Sequence, residues 1–307
     1  MAALTEVVDE LFDATMAQSG RGGGGVAVSS QAAAELDCQD EMFAGRSSWK
    51  TPIRDAHLLG DVALLVASDS LRAYAALAGG SPPPIFAHLV VARAAADASV
   101  NSAWLNQPGP TVTPDERARR GLVERYHAAL QRRQVPELRA TADQLQEELK
   151  RIASAFRWTL VTGDRDEDLS IGGTRRPPTI PGARALLATG DGGAPGEGEA
   201  TGDGGATGDG ARLWEHMAQA MHGSWHQPEV DGPASTGGRL RAAALLHLYL
   251  RAAQNRADLM GWQSRAWEEA RTRAGDLARQ LAEGAGGEGA VWAEEPEVAD
   301  DRLPADT

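Results

Sequence analysis

Arg241 and His247 have five residues between them in an alanine- and leucine-rich run, and together they carry the two groups that metal-free RNA cleavage requires. A guanidinium holds the phosphate while an imidazole moves the proton of the attacking 2′-hydroxyl. The spacing has little weight as a motif. With 7 histidines in the chain and arginine at about a tenth of positions, chance supplies on the order of two such pairs. A histidine on a leucine-rich helix is more often a packed, hydrogen-bonded side chain.

Metal chemistry finds weaker material. Glu124-Arg125-Tyr126-His127 has the E-x-x-H spacing of a di-iron bundle, but that centre needs a second copy and two further carboxylates. The chain has no second copy. His222 and His226 would share a helix face near His216, yet Gly223 and Pro228 end a helix there and no third ligand is evident. A polar helix terminus whose imidazoles meet the last carbonyls fits these histidines better. Asp164, Asp166 and Asp168 alternate as in the first half of a calcium loop, but Leu169 stands where the turn needs glycine and Arg175 where a bidentate glutamate belongs. Cys38 is the single cysteine, so neither an intrachain disulfide nor a cysteine cage can form. No metal and no cofactor are expected.

Asp97, Arg117 and Arg120 form the remaining constellation. Asp97 lies among Ala94, Ala95, Ala96 and Ala98, either on the wet face beside Arg93 or buried against a basic partner. Arg117, Arg120 and Glu124 follow one another at helical steps on the next helix. A contact from Asp97 to Arg117 or Arg120 across a helical hairpin is therefore expected. Its first reading is a structural salt bridge and its second an anion or substrate pocket.

These residues are positioned by helices. Leu4, Val7, Val8, Leu11 and Phe12 predict a helix over 3–18, followed by a glycine hinge at 20–25 and a short helix over 30–44. Gly20–Gly25 lacks the strand before it and the Gly-Lys-Ser/Thr after it that a phosphate loop needs. Thr51-Pro52 opens a helix that stops at Gly79-Gly80, and Ser81-Pro82 opens one with a stripe of small residues through Ala92, Ala96, Val100 and Ala103. Thr113-Pro114-Asp115-Glu116 is a capping box for a third, and Pro136 divides it from a fourth ending near Trp158. After three Ala-Thr-Gly-Asp-Gly repeats, a helix is expected from Arg212 to His222 and a very long one from Arg239 to about Glu283. No β-alternation is apparent. The expected class is all-α: an antiparallel helical bundle with a Gly/Asp-rich disordered insertion and flexible termini. Residues 1–48 read as N-terminal short helices with a hinge, 49–283 as one bundle domain interrupted by a linker at about 161–211, and 284–307 as a disordered acidic tail.

The chain has 307 residues, 42% of them apolar, enough for a core. Its net charge of -13 opposes general nucleic-acid binding, and only residues 114–160 carry a positive excess. Lys50 and Lys150 are the sole lysines, an arginine bias that fits GC-rich coding rather than phosphate recognition. The acidic start lacks the basic region of a signal peptide, and no apolar run approaches the roughly 20 residues that span a bilayer, so a cytoplasmic protein without membrane contact is expected.

Trp104-Leu105-Asn106-Gln107-Pro108, Glu116-Arg117-Ala118-Arg119-Arg120, and Trp214 followed by Met221-His222-Gly223 resemble segments shared by a loose group of uncharacterised actinobacterial helical proteins. Several such families are distantly HEPN-like, a helical superfamily that includes ribonucleases and inactive binding versions. The resemblance implies a helical bundle and, more weakly, RNA cleavage, with Arg241, His247 and His222 as the catalytic candidates. The first expectation is a binding or regulatory module using Asp97, Arg117 and Arg120, with a protein partner or a homodimer through the long C-terminal helix. A HEPN-like metal-independent ribonuclease or toxin, with RNA as partner, is the alternative. A small-molecule enzyme with a pocket in the bundle is the third.

Overall fold

The computed structural model describes residues 2–19, 26–43, 45, 49–80, 87–162, 169–178, 182, 183, 185, 186 and 236–286. The glycine hinge, Asp164, Asp166, Asp168, the repeats, Trp214, His216, His222, His226 and the acidic tail lie outside them. The described chain is overwhelmingly helical, as its patterning requires. The elements are α1 (Ala2–Ser19), α2 (Gln31–Asp37), α3 (Gln39–Phe43), α4 (Pro52–Ala78), α5 (Ala87–Leu105), α6 (Pro114–Arg133), a 3-10 turn (Pro136–Leu138), α7 (Arg139–Ala155), β1 (Leu160–Val161), β2 (Ser170–Ile171), β3 (Thr174–Arg175), α8 (Thr236–Met260) and α9 (Arg265–Gly286). Among the described residues no helix is long and apolar enough to cross a membrane.

α8 is the axis of the main core. Ala242 to Leu246, Leu248, Tyr249, Ala252, Ala253 and Ala257 are all buried, against α1, α4, α5 and α9. Small side chains on α5 (Ala92, Ala95, Ala96, Ala103) let its backbone approach α4 and α8 closely. Leu4, Val8 and Leu11 of α1 belong to the same core. A second core lies to one side, where Leu122, Val123 and Tyr126 of α6 meet Leu149 and Ile152 of α7, Trp49 and Ile171.

Two expectations are corrected. The continuous helix over 239–283 is two antiparallel helices. Gly261 takes φ +69, Trp262 N donates to Ala257 O (2.9 Å), Gly261 N donates to Asp258 O (3.2 Å), and Ser264 then caps α9 through the Trp267 N–H (3.2 Å). This is a Schellman stop followed by an N-cap. α9 folds back on α8 and packs against α1, which uses its apolar face within the chain.

The second correction is a small antiparallel sheet, β1-β2-β3, in the stretch where no strand was evident. Gly172 and Gly173 take φ +58 and +84, the positive pair that a two-residue hairpin turn requires.

α7 ends in the same Schellman pattern as α8, with Trp158 N donating to Ala153 O and Arg157 N to Ser154 O, but the left-handed position holds Arg157 at φ +58. Two opposite outcomes are expected in urea unfolding. Gly261→Ala, whose Cβ would also lie 3.0 Å from Ser30 Cβ, lowers stability by about 1–2 kcal/mol; Arg157→Gly, exposed and strained, raises it by about 0.5–1 kcal/mol.

Candidate functional site

Glu35, on the short helix α2, is only 2% exposed although it is charged. Its partner is Arg117 on α6, at 0% exposure: Arg117 Nε donates to Glu35 Oε2 (3.0 Å) and Nη2 to Oε1 (3.1 Å), a two-pronged fork. Arg117 also donates to the Leu105 and Gln107 carbonyls, where α5 ends and its last C=O groups lack helical partners. One turn before Glu35, Gln31 accepts from Gly109 N (2.8 Å) and donates to Gly109 O and Val112 O. α2 thus grips the whole α5–α6 loop.

His57 of α4 completes this cluster, with Nε2 3.0 Å from Glu35 Oε2. Burial alone would push the Glu35 carboxyl up, but hydrogen bonds from His57 and Arg117 and their charge outweigh it and bring it down to about 2. Burial holds the His57 imidazole below its ordinary value despite the Glu35 hydrogen bond. A neutral imidazole donating its Nε2 hydrogen to an ionised Glu35 satisfies both.

A second buried pair adjoins the first. Arg256 of α8 donates to Asp61 Oδ2 (2.6 Å) and to Asn106 Oδ1 (3.4 Å), and lies over the Trp262 ring at 5.7 Å. Burial, offset by Asp61, lowers the Arg256 guanidinium to about 10. Asn106 donates to Ser102 Oγ, which donates to Gly60 O. A Cβ on Gly60 would lie 2.5 Å from Asn106 Oδ1, so glycine is what admits the asparagine there.

The arginines of Glu116-Arg117-Ala118-Arg119-Arg120 are all held by structural partners, Arg119 and Arg120 sharing Glu116. Arg120 donates to Glu116 Oε1 (3.0 Å), the Trp104 carbonyl and Gln107 Oε1 (3.0 Å), with its guanidinium over the Trp104 ring. Arg119 donates to Gly172 O (2.6 Å) and holds the hairpin. Thr113 Oγ1 caps the Glu116 N–H as the capping box predicts, but the Glu116 side chain turns instead to Arg120, Arg119 and Thr174.

The expected bridge from Asp97 to these arginines is corrected. The ion pair of Asp97 is with Arg93, 3.9 Å away on its own helix. Asp97 lies eight residues, or about 12 Å, before the end of α5, whereas Arg117 and Arg120 meet α5 only at that end. α6 packs against α4 and α7 rather than along α5. Arg117 and Arg120 are both buried, at 0% and 8% exposure.

Glu124 and His127 both engage Arg176, at 3.6 and 2.9 Å, and no metal-ligating group of three residues occurs among the described residues.

Beyond this clasp formed by Glu35 and Arg117, α5, α8 and α9, together with Pro177, Gly182, Ala185 and Leu186, line a groove of about 860 Å³. Trp104, Gln107 and Pro108 form the wall that the clasp holds, His247, Arg251 and Gln254 line α8, and Arg271 and Gly275 line α9. The Gln254 Oε1 is buried without a hydrogen-bond donor among the described residues. His247 and Arg251, four residues apart, share the groove. Arg241 does not: six helical steps turn it about 120° from His247, toward Tyr74 of α4.

No family model, no curated protein and no solved structure matches this chain.

Glu35, His57, Asp61 and Arg256 have no signature in the sequence, since Glu35 lies 82 positions from Arg117 and Asp61 lies 195 from Arg256. The only local hint is a carboxylate within Ala32-Ala33-Ala34-Glu35-Leu36.

The cluster makes the fold acid-sensitive. Glu35, held at about 2 against an ordinary 4.5, adds stability that is complete above 4.5 and lost as pH falls through 2. His57, held below 6.5, is protonated more readily in the unfolded chain, so its contribution is complete above 6.5 and lost as pH falls below it. Unfolding free energy measured by urea should decline from pH 7 downward, and His57→Gln should flatten the limb just below pH 6.5. Arg117→Met, which strands the Glu35 carboxylate, should cost about 3–5 kcal/mol at neutral pH.

Proposed function

We propose that the chain is a helical binding module whose small ligand occupies the groove between α5, α8 and α9. The observation that carries this reading is the groove itself. Its volume of about 860 Å³ lies within the range of ligand pockets, and apolar walls from Val100, Ala103 and Leu250 sit among a few convergent polar groups. One of them, the Gln254 amide oxygen, calls for a donor from outside. The wall at Trp104 and Gln107 is fixed by the buried arginines, so the site is organised before a ligand arrives.

Metal-independent RNA cleavage is the second reading, favoured by His247 and Arg251 lying in one groove. Against it, Arg251, Arg271 and Arg279 are balanced there by Asp258, Glu268 and Asp276, with Arg271 paired to Glu268 and Arg279 to Asp276. A polyanion gains little from such a surface.

Gly275 lines the groove and a Cβ there would meet no atom within 4 Å, so Gly275→Phe is the substitution chosen to occupy the site. In a thermal-shift screen of small metabolites, compounds that stabilise the native chain should lose their effect on Gly275→Phe, whose circular dichroism stays native. Equal stabilisation of both proteins overturns the reading. RNA turnover by the native chain that disappears in His247→Ala would establish the second one.

A further inference from the structure

Leu58, Val62 and Val66 of α4 are 59%, 47% and 47% exposed, and they stand four residues apart. Such residues form one ridge along a helix, drifting only about 40° per step. Leu59 and Leu65, half-buried, widen it on either side. Apolar side chains scattered singly on a surface are ordinary, but a contiguous ridge of branched aliphatics on one helix marks an interaction face.

The flanks of the ridge differ in charge. At its N-terminal end stand Arg54, exposed, and Arg125, which neutralises Asp55 at 3.0 Å, leaving a positive excess. At its C-terminal end stand Asp69, with a side-chain exposure of 78%, and Asp9, which share the single Arg72 guanidinium at 3.5 and 2.6 Å, two carboxylates to one cation, leaving a negative excess. A surface that is apolar in the middle, positive at one end and negative at the other is its own complement under a two-fold rotation about its centre.

We infer that this ridge docks a second copy of the same chain, α4 against α4, on a dyad at Val62. Ridges built on four-residue steps interlock with helices crossed at about −50°, the commonest helix packing. In that register Val62 meets its own copy, Leu58 meets Val66, and Arg54 comes beside Ser70 and Asp69 of the other chain. The dimer uses a face that neither the groove nor the clasp occupies, so it stands apart from the proposed ligand site.

The full chain in sedimentation equilibrium, from about 1 to about 200 µM, tests it, since a contact built on a single helix ridge belongs to the weak, reversible class. The apparent mass should rise from monomer toward dimer across that range. Val62→Glu, which sets two carboxylates on the dyad, should hold the chain monomeric with unchanged circular dichroism and unfolding midpoint. Arg54→Asp should weaken association at least tenfold, and adding Asp69→Arg should restore it to within a few-fold. A wild-type chain that stays monomeric at the top concentration overturns the inference. So does a dimer that survives Val62→Glu, because its interface then lies elsewhere.

Discussion

The fork between Glu35 and Arg117 is the constraint on which the remainder of this structure hangs. It joins α2, whose seven residues have no independent stability, to α6, and through the carbonyls of Leu105 and Gln107 it fixes where α5 stops. Removing a charged pair from water is costly, and what offsets it here is saturation: each oxygen of Glu35 and much of the Arg117 guanidinium has a partner. Sliding α2 or α6 by one residue would bury an unpaired charge.

From that clasp the groove follows. Arg120 holds Trp104 and Gln107, and Arg256 with Asn106 ties α8 to the same loop, so the wall of the groove is set by buried cations. The opposite wall exists because α9 turns back at Gly261. A straight helix of the combined length would have left α5 and α8 facing solvent there.

Several features were legible along the chain because they depend on neighbours in sequence. The all-α class follows from apolar spacing, the start of α6 from Thr113 and Pro114, and the small-residue face of α5 from its alanines. The break at Gly261 was written in Met260-Gly261-Trp262-Gln263-Ser264, a stop and a cap in succession, although the periodicity around it runs on without interruption. The hairpin was written in Gly172-Gly173, but strands of two residues are too short to alternate.

The sequence by itself determined where helices start and stop and which faces are apolar, since those rest on contacts within about four positions. It also supplied arginines at Arg117 and Arg120 without saying what they hold. Only tertiary structure decided that Arg117 meets Glu35 rather than Asp97, and that His247 shares a groove with Arg251 rather than with Arg241. The groove follows from where α5 and α9 pack on the face of α8 that carries His247 and Arg251; the pairing of Arg117 has a different reason. A buried charge takes whichever opposite charge the packing of helices brings within 3 Å, and that choice joins residues far apart in the chain.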